Sequence, residues 1–250
     1  MENQRKHRKK KWVWIPASIA LAVAVYSILL FCGVLHINNP DGEKYPVAGV
    51  DVSSYQGEID WETLASQEIS FAFIKATEGS SYLDEYFEKN WAEASKTALR
   101  IGAYHFFSFE SPGETQADLF CGTVTPVDRM LPPVIDVEYY GNYKSEKDID
   151  VSQVRKELRV LADRMTAAYG MKPVIYATKK SYDTILQDNF SDCDLWIRSV
   201  YSEVRSDMDW TFWQYSDRHL LPGYAGKERF IDMNVFCGTA EEFAAYPAGK

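Results

Sequence analysis

Residues 131–141 read LPPVIDVEYYG. The apolar run from Pro132 to Val137 has the length and composition of a buried strand. It delivers two acids separated by a single residue, Asp136 and Glu138. Residues i and i+2 of a strand point to the same face, so the two carboxylates project together with Cα atoms about 6.5–7 Å apart. Like charges on one face repel, and burying a carboxylate without a partner is costly. A strand that accepts both penalties belongs to a fold that needs acids at its end.

The neighbouring sequence supplies that fold. PVAGVDV (46–52), ISFAFIKA (69–76), IGAYHFF (101–107), PPVIDVE (132–138), KPVIYA (172–177), DLWIRSVY (194–201), TFWQYS (211–216) and RFIDMNVF (229–236) read as strands. Helical patterns separate the first of them. IDWETLASQ has Asp60 near a helix start, and DEYFEKNWAEASKTAL is amphipathic. SPGETQADLFCGTV offers Ser111 as N-cap, Pro112 at the first helical position and Glu114 three residues on. VSQVRKELRVLADRMTAAYG runs as a long helix to Gly170, and KKSYDTILQ follows the fifth strand. Between the last three strands little helix is written. Strands alternating with helices imply right-handed crossovers and a parallel sheet. The predicted fold is an α/β (β/α)8-like barrel with helices missing in its last third. A doubly wound open sheet is disfavoured, because no Gly-rich turn follows the first strand.

In such a barrel catalytic groups gather at the C-terminal ends of the strands. Asp51 in the first strand and Asp232 in the last, with Asn234 two residues on, then join Asp136 and Glu138 in one cavity. Taken singly, Asp51 could cap the turn at Ser53 and Ser54, and Asp232 could pair with a lysine. Clustered acids raise one another's proton affinity, which suits a general acid. Hydrolysis of a glycosidic bond uses such a set: one acid protonates the leaving oxygen while a charged partner stabilises the oxocarbenium-like transition state. Tyr55, Tyr82, Tyr104, Tyr139, Tyr176, Trp196, Trp213 and Tyr215 lie at or near strand ends, and Tyr104, Tyr176, Tyr55, Trp196, Trp213, Gln214 and Asn234 are the candidate sugar contacts. A metal finds no support, since there is no His-x-x-x-His or Asp-rich loop; His105 reads as a hydrogen-bonding group in the barrel or toward substrate. No cofactor is called for.

Composition agrees with a sugar-binding enzyme. The chain of 250 residues is 14% aromatic and carries a net charge of −9, which argues against nucleic acid as a partner. The charge is uneven. MENQRKHRKKK (1–11) reads as a basic cytoplasmic tail, and Trp12 to Leu35 contains no charged residue, long enough to span a hydrocarbon core about 30 Å thick. Basic residues before the span predict a single-pass anchor with the remainder exported, a cleaved and secreted form being the rival. Residues 36–46 read as a linker and 47–250 as one barrel domain, without internal repeats and expected to be monomeric. The exported part holds Cys121, Cys193 and Cys237, so at most one disulfide forms there; buried free thiols are the default.

GVDVSSYQG, FIKATEGSSYLD, GAYHFF, PPVIDVE, VIYA, LWI, FWQY and IDMNVF stand in the order found in glycoside hydrolase family 25, the Chalaropsis-type lysozymes, which the chain resembles over about residues 47–243. The resemblance implies cleavage of the β-1,4 bond between N-acetylmuramic acid and N-acetylglucosamine in peptidoglycan glycan strands. It matches Glu138 to the general acid and Asp136 to a partner that either attacks the sugar or orients its acetamido group. Asp51 and Asp232 match the flanking acids, and Tyr104 and Tyr176 match aromatics near the reacting sugar. The family usually carries glycine where this chain has Glu68, a turn position distant from the chemistry. The alternatives are a catalytically silent wall-binding module and a hydrolase of another N-acetylated glycan such as chitin.

Overall fold

The computed structural model describes residues 2–247, with the side chains of 2–15 not among them. The chain divides after Ile37 into two compact units. The first is the helix α1 (Glu2–Phe31) with the turns that follow it. Among the described residues, no helix is long and apolar enough to cross a membrane. Side chains 12–15 of the expected span and the basic block lie outside the described residues. The described part of α1 exposes Ile19, Leu21, Val23, Val25, Ile28 and Phe31.

The second unit is a barrel. Its strands are β1 (Ala48–Val52), β2 (Phe71–Glu78), β3 (Tyr82–Leu83), β4 (Arg100–Phe106), β5 (Val134–Val137), β6 (Val174–Thr178), β7 (Asp194–Arg198), β8 (Phe212–His219) and β9 (Ile231–Phe236). They join in the order β1-β9-β8-β7-β6-β5-β4-β2-β3, and a β1–β2 pairing closes eight of them into a ring, with β3 folded back on β2. All eight expected strands are present. Seven run parallel; β9 runs antiparallel to both β8 and β1. This corrects the expectation that Asp232 sits at the end of a parallel strand. Eleven residues, 220–230, connect β8 to β9, too few for a helical crossover, so the chain turns back as a hairpin. Asp232 therefore stands at the start of its strand and still at the mouth, directly opposite Asp51.

Helices α2 (Trp61–Ala65), α3 (Phe87–Ala94), α4 (Gly113–Thr123) and α5 (Val151–Tyr169) cover the first half. Asp60 caps α2, and Gly170 ends α5 in the left-handed region at φ 68°. The N-cap of α4 is Pro112 rather than Ser111, one residue later than expected, and it makes no side-chain capping bond. After β6 come α6 (Lys179–Ser181) and one wide turn, Tyr182–Leu186. No helix bridges β7 to β8 or β8 to β9, in line with the predicted loss. The C-terminal α7 (Ala240–Ala245) was not foreseen, although Thr239 and Glu242 form a capping box legible in the sequence.

Side chains alternate between two cores. Leu161, Ile135 and Ile175 belong to the layer between barrel and helices, whereas Phe71, Phe73, Val134, Val174, Trp196, Phe212 and Phe236 fill the barrel. Phe243 of α7 closes its base, 5.5 Å from the ring of Phe71 and 5.2 Å from that of Phe236. Room for these rings comes from glycine: a Cβ on Gly49 would lie 2.5 Å from Phe71, and one on Gly102 would lie 2.7 Å from Phe73. The segment read as linker is docked on the barrel from Asn38 onward. Asn38 Nδ2 donates to the carbonyls of Ser199 (2.7 Å) and Ser202 (3.0 Å), and Tyr45 packs 5.3 Å from Trp210. Glu68 is exposed and is not among the residues with positive φ, so its turn has no need of glycine.

Because Phe71 is held by Phe73, Phe212 and Phe243, it cannot yield to an added methyl group. Gly49→Ala is expected to destabilise the fold by about 1–3 kcal/mol in urea denaturation, the usual cost of overpacking. Gly122→Ala, where nothing lies within 4 Å, serves as control; equal stability of the two variants would contradict this packing.

Candidate active site

The ring order brings the predicted acids together. β1 and β9 set Asp51 against Asp232 as direct cross-strand partners. β5 delivers Asp136, and Glu138 follows at the first turn beyond the strand. Asp136 is 9% exposed and Glu138 half-buried. The four acids feel one another's charge: Asp136 is raised by Glu138 and Asp51, Glu138 by Asp51, and Asp232 by Asp51.

Each acid has its own support. Asp51 Oδ2 accepts from Asn234 Nδ2 (2.8 Å) and Gln214 Nε2 (2.9 Å), and the latter also reaches Asp232 Oδ2 at 3.1 Å. Behind these amides, Tyr176 donates its hydroxyl to Gln214 Oε1 (2.9 Å) and Trp196 its indole N–H to Asn234 Oδ1 (2.8 Å). Asp136 Oδ1 is buried without any hydrogen bond. Two cations border the cluster. Arg198 closes β7 and is bound to Asp217 at 2.7 Å, and Lys75 on β2 is bound to Glu78 at 2.7 Å.

The proton affinities follow. Burial raises Asp136 and Asp232 well above the usual carboxylate range, reinforced by Glu138 for the first and Asp51 for the second. Burial raises Asp51 too, but its bonds to Asn234 and Gln214 oppose the rise. Glu138 is also raised by burial, with Arg198 pulling back. The family resemblance implies the proton on Glu138, with Asp136 as its partner carboxylate. Asp136 is itself pushed up by burial and by Glu138, with no bonding partner at Oδ1 and Lys75 offsetting its neighbours. The two titrate as a pair rather than as separate groups.

The candidate sugar contacts divide by depth. Tyr104 is half-buried among the acids, its hydroxyl pushed to a higher pKa by burial and by Asp51. Tyr55 stands on the rim, 64% exposed. Trp196, Tyr176, Gln214 and Asn234 are buried and support Asp51 through these bonds, and Tyr176 stands directly beside Asp136 in the sheet register. Trp196 stacks on Phe73 at 4.6 Å and meets Tyr176 edge-on at 4.7 Å. Trp213 is corrected: it lies on the outer side of β8 against Tyr45, Trp210 and Tyr215, because strand alternation points Phe212 and Gln214 inward and its own ring outward. His105 likewise faces outward, between Thr77 (2.7 Å) and Gln116 (3.0 Å), and burial lowers its pKa to about 4. Tyr139 bonds to Thr184.

Arg198 was missed, although the alternation that exposes Asp136 and Glu138 also sends Trp196 and Arg198 inward. Asp84 was missed as well; buried between loops, it accepts from the backbone of Ser54 and Tyr86 and fixes the turn after β1. Among the described residues no group of three His, Cys, Asp or Glu is arranged for a metal ion. Cys121, Cys193 and Cys237 form no disulfide; the first two are half-buried and Cys237 is exposed, against the expectation of burial.

A carboxylate whose folded pKa lies above its unfolded value costs stability once ionised, so stability is gained as pH falls through the folded pKa. Asp136→Asn removes that cost. It is expected to stabilise the protein at pH 7 by about 0.5–2 kcal/mol, the range of favourable substitutions, with the gain shrinking toward pH 4. Thermal unfolding at the two pH values checks this; a variant less stable at pH 7 contradicts the electrostatic account.

Comparison with known proteins agrees with this geometry. A family 25 glycosyl hydrolase from Bacillus anthracis superposes with a TM-score of 0.77 and 51% identity, covering 84% of this chain and 97% of that one. Lysozyme M1 of Streptomyces globisporus is 32% identical over 210 residues, 80% of this chain and 70% of that protein. The uncharacterized protein YegX of Escherichia coli K12 is 37% identical over 214 residues, 82% of this chain and 75% of that protein. Residues 50–224 match the glycosyl hydrolases family 25, and the chain belongs to that family.

Proposed function

We propose that this chain is a lysozyme-type glycoside hydrolase, an N-acetylmuramidase that cleaves the β-1,4 bond between N-acetylmuramic acid and N-acetylglucosamine in peptidoglycan. The carrying observation is the meeting of Asp51, Asp136, Glu138 and Asp232 at one end of the barrel, within electrostatic reach of each other. Relatives named lysozyme and N,O-diacetylmuramidase support the substrate. With all four acids in place, neither a silent wall-binding module nor a chitin hydrolase is favoured.

Burial and mutual repulsion keep a proton within the cluster at a pH where free carboxylates have lost theirs. Glu138, nearest the opening, is the group that gives it to the leaving glycosidic oxygen. Asp136, in the depth of the mouth, meets the other face of the reaction, as nucleophile or by orienting the substrate's acetamido group. Asp51, whose bonds to Asn234 and Gln214 favour its ionised form, supplies negative charge that favours the developing oxocarbenium ion, with Asp232 beside it. Tyr104 is the sugar contact beside them. Glu138→Gln keeps shape and hydrogen bonding but cannot give up a proton. It is expected to reduce the rate on purified cell wall by about a hundredfold or more, read by turbidity and zymogram; retained turnover rejects the assignment.

The proposed location is the membrane surface, with α1 as single-pass anchor, the barrel exported and peptidoglycan strands its partner. What supports it is the uncharged stretch Trp12–Leu35 after a basic block. Fractionation of cells producing the full chain is expected to leave the activity with membranes after a high-salt wash. Quantitative release into the medium, or by salt alone, argues against the anchor.

A further inference from the structure

We infer that the loop after β7 forms an additional sugar-binding wall of the cleft, with Tyr201 as the platform on which a glycan ring beyond the cleavage point rests. The inference builds on the muramidase reading and goes beyond it, because the acids themselves need only the two sugars they separate.

Three observations lead there. Tyr201 is 75% exposed, the most exposed large apolar side chain of the barrel unit, and the others are Tyr55, Tyr82, Leu83 and Leu220. All five follow strand ends at the mouth: Tyr55 after β1, Tyr82 and Leu83 after β2, Tyr201 after β7 and Leu220 after β8. Among the described residues of this unit, no exposed large apolar group stands at the base or on the helical flank. An exposed apolar set confined to one face marks a binding surface.

The ring order gives that surface a direction. β7 lies two strands from β5 on one side and β2 lies two strands from it on the other. Tyr201 and Tyr82 therefore flank Glu138, and a chain passing over the acid along this line meets one tyrosine on each side. An aromatic face takes the apolar face of a sugar ring, which fits a polymeric substrate cut internally.

The loop is also fixed in advance. Ser199 N donates to the Gln214 carbonyl at 3.0 Å, Trp213 Nε1 to the Ser199 carbonyl at 2.9 Å, and Ser199 Oγ to the Ser202 carbonyl at 2.7 Å. Asn38, which precedes the family-matched region, clamps both carbonyls of Ser199 and Ser202. A ring carried on a backbone already held loses little freedom on binding, so more of the contact appears as affinity. Asn38 is thus a positioning residue for this wall.

The test compares kcat/KM of the full chain on short glycan fragments, filling only the sites beside Glu138, with that on long fragments. Tyr201→Ala is expected to lower the long-to-short ratio about tenfold, equivalent to about 1.4 kcal/mol, through KM on the long fragments. Tyr201→Phe restores the ratio, since the ring and not the hydroxyl is used, and Asn38→Ala lowers it to a smaller extent. A wild-type ratio in Tyr201→Ala, or failure of Tyr201→Phe to restore it, overturns the inference while leaving the muramidase reading intact. Failure of the wild-type chain to cleave fragments of any length overturns both.

Discussion

Asp51 faces Asp232 across an antiparallel strand pair, with Asp136 and Glu138 close enough for its charge to raise their proton affinity. Packing four acids into one mouth costs free energy, because burial and like charge both work against ionisation. Much of the unit is arranged around that cost. Two amides bind Asp51, two aromatics bind the amides, and Arg198 and Lys75 stand at the border with carboxylates of their own. Below this layer the barrel is filled by phenylalanine rings, which exclude water and provide no further polar support. The proton held by the cluster follows from the same crowding that makes the cluster costly.

The strand ring was legible because alternation and length are local signals, and eight apolar runs of strand size leave few closed arrangements. The D-x-E pair was legible for the same reason. The direction of β9 was not, since an isolated strand carries no mark of its polarity within a sheet; only the short β8–β9 connection hinted at it. An aromatic residue near a strand end suggests a sugar contact, but alternation decides which side Trp213 takes. Its neighbour Gln214 points inward, so Trp213 had to point outward, and the same parity would have found Arg198 behind Trp196.

Depth was the other quantity that sequence does not carry. Trp196, Tyr176, Gln214 and Asn234 do face the barrel interior, as their strand positions imply, and there they form a bonded layer that holds Asp51. How far a side chain lies below the mouth depends on the stagger between strands, which is fixed by ring closure and not by any one segment. Likewise, residues 38–46 look like free linker by composition, yet Asn38 and Tyr45 find partners on the loop between β7 and β8, far away along the chain.

The pairing of amides with aromatic donors has a consequence for polarity. An amide side chain can turn over at almost no steric cost, exchanging its oxygen for its nitrogen. Were Gln214 or Asn234 to do so, each would offer lone pairs to carboxylates that already repel one another. The indole of Trp196 prevents this at Asn234, because an indole N–H can only donate and so fixes which end of the amide faces inward. That ring thus acts as a one-way latch, helping to set the sign of the potential that any incoming sugar encounters.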